Sequence, residues 1–278
     1  MKVLIKGAGD LATGIAYECW LAGYEVLMTE IGVPLAVRRE VSFSRAVYEG
    51  KARVEDAEGI LVKSLEEAKR VIEDGKIAVI VDEHADIRKE YRPDVLVDGI
   101  MAKKNIGTGM EDAPVVIAIG PGFEAGVDCH YVIETQRGAD LGHVISRGCA
   151  LPNTGVPGEV GGYTRERLIQ ASADGRMEPV AKIADVVKKG QLVARTGGVP
   201  VYAKMSGIVR GMLQEGVEVT EGLKIGDIDA REIESYCYEI SDKARRIGQG
   251  VLEAISSAYS QSLRADDPVN GTPGNPQQ

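Results

Sequence analysis

Two regimes of apolar and polar positions follow one another along this chain. The first carries short continuous apolar runs: Lys2-Val3-Leu4-Ile5, Tyr24–Thr29, Ala78-Val79-Ile80-Val81, Asp94–Val97, Pro114–Ile119 and Tyr131-Val132-Ile133. Each leads into a polar or glycine-rich segment. Runs of this length, rich in β-branched residues and not alternating, predict strands buried on both faces, as in a parallel sheet covered by helices. Between the first two runs, Leu11, Ile15 and Cys19 recur at helical spacing and Gly23 ends the helix. Val54 to Lys63 predicts a short strand, and Ser64-Leu65-Glu66-Glu67 reads as a capping box opening a helix to Asp74, closed by Gly75.

From about Met177 the texture changes to short Val-rich segments separated by Gly190, Gly197, Gly198, Gly207, Gly211, Gly216 and Gly222, which predicts a small β domain. Val186-Val187-Lys188-Lys189-Gly190 echoes Glu218-Val219-Thr220-Glu221-Gly222, so two similar hammerhead-like halves are expected. Ser241-Asp242-Lys243 caps a last helix running to about Tyr259. The expected class is α/β: a Rossmann-like parallel-sheet domain over 1–150, a connecting segment over 151–176, a barrel-sandwich-like β domain over 177–232, and a C-terminal helical segment over 233–261. A polar tail over 262–278, rich in Pro, Asn, Gln and Gly, is expected to be disordered.

The first run drives into Gly7-Ala8-Gly9-Asp10-Leu11-Ala12, which matches the G-x-G-x-x-G/A dinucleotide fingerprint with Ala12 in its third slot. Gly7 would make the turn, Gly9 would admit a pyrophosphate, and the phosphates would rest on the helix N-terminus. Glu30 ends the second run about twenty residues on, where a ribose expects its carboxylate. That favours two ribose hydroxyls over a 2′-phosphate, with Arg38 and Arg39 following within reach of a loop. A Gly-rich turn that binds nothing is the alternative.

A net charge of −9 and a pI near 5.1 exclude a general basic field for nucleic acid. Cys19, Cys129, Cys149 and Cys237 contain no C-x-x-C pair, so neither a disulfide scaffold nor a zinc site is expected and a cytoplasmic setting is natural. No apolar run approaches the length of a membrane span. His84, His130 and His143 lack the spacing of a ligand set, and no metal is expected.

Other segments suit an anion or are plain loops. Lys103 and Lys104, with Asn105 and Thr108, lie among glycines after a strand, fitting either a polyanion or a solvated loop. Gly120-Pro121-Gly122-Phe123 follows the fifth run, placing its amides at the ligand-facing edge. Glu134 reads equally as a general base or as a carboxylate orienting Arg137. Lys204 lies where carrier domains present a modified lysine, but without their Met-Lys-Met hairpin, so no covalent carriage is expected.

Taken together, Gly7-Ala8-Gly9-Asp10-Leu11-Ala12-Thr13-Gly14, Val37-Arg38-Arg39, Ala46-Val47-Tyr48-Glu49-Gly50, Ala102-Lys103-Lys104-Asn105, Gly120-Pro121-Gly122-Phe123, Val132-Ile133-Glu134-Thr135 with Arg137-Gly138, Asn153-Thr154-Gly155 and Lys224-Ile225-Gly226-Asp227-Ile228-Asp229 resemble the selenium-dependent molybdenum hydroxylase accessory proteins, over roughly residues 1–258. More distantly, the chain is similar to xanthine dehydrogenase accessory proteins. The resemblance implies a role in hydroxylase maturation, with a nucleotide-like or pterin ligand at the Rossmann edge, so the cofactors expected from fingerprint and resemblance together are NAD(P) or a molybdenum cofactor of the pterin dinucleotide kind. It also implies the apo-hydroxylase or cofactor-maturation proteins as partners, and it is compatible with a homo-oligomer. Ala139-Asp140 departs from the pattern, since a histidine is expected there in relatives. The expected cofactor site combines Gly7, Gly9, Asp10, Ala12, Glu30, Arg38, Arg39, Lys103, Lys104, Gly120 and Gly122. The alternative is an NAD-dependent oxidoreductase with Glu134 or His130 in proton transfer; a non-catalytic scaffold is a third reading.

Overall fold

The apolar runs become the parallel core of a nine-stranded sheet in the computed structural model, which describes residues 1–265. In chain order the first unit contains β1 (Lys2–Lys6), α1 (Asp10–Leu21), β2 (Glu25–Glu30), α2 (Ala46–Glu49), β3 (Lys51–Val54), β4 (Ala57–Val62), α3 (Leu65–Glu73), β5 (Ile77–Val81), α4 (Arg88–Tyr91), β6 (Val95–Asp98), β7 (Val115–Ile119), β8 (Glu124–Ala125), β9 (Tyr131–Ile133), β10 (Val144–Ile145) and β11 (Gly148–Cys149). The large sheet runs β10-β9-β7-β6-β1-β2-β5-β4-β3, parallel from β9 to β4, with β10 and β3 antiparallel at its two ends. From β1 the chain steps to β2, passes to the β3–β4 hairpin at the far edge and returns inward to β5; from β6 it winds the other way through β7 and β9. The order therefore reverses between β1 and β6, the place where doubly wound sheets hold ligands beyond the carboxyl ends of their strands.

Side chains alternate between two buried faces, which is why the runs are continuously apolar. Val3, Ile5, Val26, Met28, Val97 and Ile117 lie on the face covered by α1 and α5, whereas Leu4, Leu27, Leu96 and Val116 lie on the opposite face, which α3 helps to cover. Ser64 caps α3 through Oγ, which accepts the Glu67 N–H at 3.2 Å. The single strand expected over 54–63 is instead the second arm of a hairpin with β3. Its turn uses Glu55 at φ +51° rather than a glycine, leaving no turn signal in the sequence.

The second unit holds β12 (Leu168–Gln170), β13 (Gly175–Pro179), β14 (Val186–Val187), β15 (Leu192–Thr196), β16 (Val199–Tyr202), β17 (Gly207–Met212), β18 (Glu218–Val219) and β19 (Lys224–Asp229). Two four-stranded sheets result, ordered β12-β19-β17-β14 and β16-β15-β13-β18. Shifting the chain so that Val186 overlies Glu218 exchanges the two sheets strand for strand. Close contacts obey the same exchange: a Cβ on Gly175 would lie 2.7 Å from Gly197 Cα, and one on Gly207 would lie 2.5 Å from the Asp229 carbonyl oxygen. The echo between the two glycine-ended segments is thus a structural two-fold repeat. β12 joins this unit from within the stretch read as a connector, being too short a run to announce itself.

After a 3-10 turn over Glu234–Cys237, α5 (Asp242–Ala265) returns to the first unit and lies along α1. Ile240, Ala244, Ile247, Val251, Ala254 and Ile255 share the core of β1 and α1, each fully buried Ile or Val contributing about 1.5–3 kcal/mol over its exposed state. Glycines let the helices touch: a Cβ on Gly14 would sit 2.6 Å from Ala244 Cβ, and one on Gly248 would sit 2.9 Å from the Gly14 carbonyl oxygen. The helix continues past its expected end to Ala265; the remainder of the tail expected to be disordered lies outside the described residues. No helix among the described residues is long and apolar enough to cross a membrane.

Candidate functional site

β1 delivers Lys6 to the sheet edge and Gly7 turns the chain at φ +88°, where a Cβ would lie 3.3 Å from the Ile100 backbone. Gly9 is different. Its φ is −71°, open to any residue, and a Cβ there would meet nothing within 4 Å. The fold therefore explains the glycine at 7 and leaves the one at 9 unexplained by packing. Ala12 sits under Gly99, whose Cβ would come within 3.0 Å of it, so the third fingerprint position is a close helix-to-strand contact. Gly9 is the N-cap of α1 and supplies no side-chain cap, so the first N–H groups of the helix stay available at this edge.

Glu30 ends β2 beside that turn. One carboxylate oxygen accepts the Ala8 N–H at 2.9 Å and the other the Ile31 N–H at 2.8 Å. Burial pushes this carboxyl up, opposed by those two N–H groups. Each oxygen retains acceptor capacity for a hydroxyl. Asp10, Arg38 and Arg39 are engaged otherwise. Arg38 is buried, its Nη1 donates to both Asp10 oxygens at 3.1 Å, and its Nη2 donates to the Tyr236 and Glu239 carbonyls at 3.0 Å. Arg39 donates to the Met212 carbonyl and to Gln214 Oε1, both at 2.8 Å. The loop after β2 is thus a joint holding the sheet edge, the β unit and the segment before α5 together, and the two arginines read as anion contacts serve that joint.

Over β6 and β7, the Met101–Gly109 loop brings Lys103 and Lys104 to the same edge with both side chains exposed. Gly120 and Gly122 are accounted for by the chain itself, since a Cβ on Gly122 would lie 2.6 Å from the Lys104 backbone and one on Gly120 2.7 Å from Thr135 Oγ1. Glu134, at the end of β9, is buried and accepts the N–H groups of Thr135, Gln136 and Leu151 at 2.7, 2.7 and 2.8 Å. It therefore shapes loops and does not orient Arg137, which pairs with Asp242 at 2.8 and 3.0 Å. That guanidinium holds the Asp242 carboxyl down at about 2. His130 lies at the opposite, amino end of β9, where its Nδ1 accepts the Val116 N–H at 3.0 Å.

A polar group that sequence reasoning missed lies beneath the switch point. Lys6 and Asp98 end the adjacent strands β1 and β6 in register; Lys6 Nζ donates to Thr108 Oγ1, which donates to Asp98, both at 2.6 Å. All three are buried. The signal was available: a charged residue closing an apolar run immediately before a glycine, at Lys6-Gly7 and again at Asp98-Gly99. A cavity of about 340 Å³ opens beside Lys6, bounded by Glu83, His84, Asp86, Arg88, Ile100 and Gly107. A larger hollow of about 630 Å³ lies away from this edge, at the amino ends of β6 and β7 near Asp94 and Pro114. Burial pushes the Cys19 and Cys129 thiols up to about 12, so neither is a thiolate nucleophile near neutrality.

Lys204 lies in the link from β16 to β17, flanked by buried Ala203 and Met205, and its ammonium donates to Gln170 Oε1 at 2.7 Å. Intact-mass measurement of protein from its native cell should give the unmodified chain mass. A biotinyl or lipoyl increment on Lys204 would make the β unit a carrier.

No protein-family model matches the chain. Among solved structures, it aligns with an aspartoacylase family protein from Mesorhizobium loti at 12% identity over 81% of this chain and 84% of that one, with a TM-score of 0.27. A succinylglutamate desuccinylase from Silicibacter sp. aligns at 12% identity over 81% and 84%, with a TM-score of 0.25. In sequence, the protein named "Uncharacterized protein YqeB" of Escherichia coli (strain K12) is 46% identical over 267 residues, covering 96% of this chain and 49% of that protein. The chain is a homologue of Escherichia coli YqeB and spans about half the length of that relative.

Proposed function

We propose that this chain binds an anionic dinucleotide-type cofactor at the switch point and serves as an accessory factor in the maturation of selenium-dependent molybdenum hydroxylases in the cytoplasm. The cofactor is NAD(P) or a pterin dinucleotide, and the partners are the apo-hydroxylase or its cofactor-maturation proteins. The observation that carries the binding reading is Gly9: ordinary backbone, open space where a side chain would stand, and a position at an uncapped helix N-terminus. Space kept free of side chain there admits the backbone-hugging approach of a diphosphate. Glu30 adds acceptors for ribose hydroxyls, and with Arg38 and Arg39 engaged by their own chain, ligands without a 2′-phosphate are favoured. The accessory role draws on the whole-chain resemblance, to which the site adds an anion-suited edge.

Gly9→Val should leave the unfolding midpoint unchanged while weakening calorimetric binding of NAD or molybdopterin dinucleotide at least tenfold. Equal binding by the variant would remove the glycine turn from the site. In the native cell, deleting the gene should leave hydroxylase polypeptide present but short of active, selenium-containing cofactor, restored by the wild-type chain and not by Gly9→Val. Full hydroxylase activity with normal molybdenum and selenium content in the deletion strain would end the accessory reading.

A further inference from the structure

With Arg38 and Arg39 engaged in the joint, the question is which cation meets the charge of a bound diphosphate. The first turn of α5 supplies one. Ser241 Oγ caps this helix by accepting the Ala244 N–H at 3.2 Å, and Ala244 rests against Gly14 of α1. Lys243, between them, is thereby carried to the edge where Asp10 begins α1 and Glu134 ends β9. It is half-buried. Burial, with Arg137 nearby, lowers its pKa, while Asp10, Glu134 and Asp242 pull it back up.

Each of those three carboxylates is engaged elsewhere. Asp10 is held by Arg38, Glu134 by three backbone N–H groups, and Asp242 by Arg137. Among the described residues the Lys243 ammonium makes no hydrogen bond and no ion pair. A cation partly withdrawn from water, with each neighbouring carboxylate hydrogen-bonded to another group, is poised for an anion from outside the chain. We propose that Lys243 is a ligand-binding residue of the switch-point site, its ammonium neutralising a phosphate of a dinucleotide seated on the Gly7–Gly9 turn. The inference rests on the dinucleotide reading and adds that the far end of the chain completes a site begun by its first strand.

The test compares wild type, Lys243→Met and Lys243→Arg by calorimetry with NAD, ADP and adenosine at two salt concentrations. Lys243→Met should keep or slightly raise the unfolding midpoint, since it removes a group with no hydrogen-bond or ion-pair partner among the described residues. It should weaken NAD and ADP about tenfold, leave adenosine unchanged and flatten the salt dependence, with Lys243→Arg restoring most of the loss. NAD and ADP binding within twofold of wild type in folded Lys243→Met, or an equal loss for adenosine, would overturn the assignment while leaving the dinucleotide reading standing. Failure of wild type to bind any of the three probes, or a molybdopterin dinucleotide, would overturn both.

Discussion

Gly14→Val should cost the protein about 3 kcal/mol or more of stability and loosen the C-terminal helix, although the substitution improves helix propensity. Gly14 lies one turn inside α1, where a Cβ would stand 2.6 Å from Ala244 Cβ and 2.9 Å from the Ala244 carbonyl carbon and oxygen. Those last two are backbone atoms, so α5 as a whole must move. Overpacked cores lose about 1–3 kcal/mol when side chains can adjust, and the rigid partner puts this site at or beyond that limit. Even Gly14→Ala should destabilise, against the gain of about 1 kcal/mol that helix propensity alone predicts. Denaturant unfolding followed through Trp20, the chain's one tryptophan and part of α1, measures it. An unchanged or raised midpoint for both variants would show that the two helices are not in this contact. Gly9→Val, a few residues upstream with open space around it, is the internal control.

Arg38→Ala should be of similar size, about 3 kcal/mol. The guanidinium is buried and ties Asp10 to two carbonyls on the segment before α5. Removing one partner of such a pair leaves the others unmatched, typically costing 3–5 kcal/mol when fully buried. Asp10 keeps 27% of its side-chain surface, and Arg38 Nε is itself buried with no hydrogen-bond partner among the described residues, so the lower end is expected. Lysine at this position should not rescue, because one ammonium cannot reproduce the planar fork that reaches a carboxylate and two carbonyls at once. The diagnostic is a thermodynamic cycle with Asp10→Asn: the double variant should lose less than the sum of the singles. Full additivity would mean that Arg38 acts through its carbonyl contacts alone. Loss of ligand affinity without loss of stability would return Arg38 to the binding site.

The place of each residue in the site was unevenly legible. Gly7, Gly9, Ala12 and Glu30 could be read because their spacing is local: a strand, a turn and a helix within one βαβ unit impose it. Arg38 and Arg39 were read as anion contacts because arginines after a dinucleotide strand often are. Apart from Asp10, their partners, Tyr236, Glu239, Met212 and Gln214, lie 173 to 201 residues further along the chain. Lys6 and Asp98 were passed over and Thr108 was read only with its own loop, because strand order is what brings the three into one group.

The sequence by itself determined the elements and the class. Apolar periodicity, caps and glycine punctuation act between residues close along the chain, so they specify strands, helices, the parallel sheet and even the doubled β unit through its repeated glycine-ended segments. The tertiary structure decided what those elements do to one another: that α5 returns to α1, that the loop after β2 joins three parts of the molecule, and that Lys243 comes to the edge opened by Gly7. These depend on steric fit between distant surfaces, such as the missing side chains of Gly14 and Gly248 where two helices cross. A glycine in the sequence shows only that a side chain is absent; what fills the space is set by the rest of the fold.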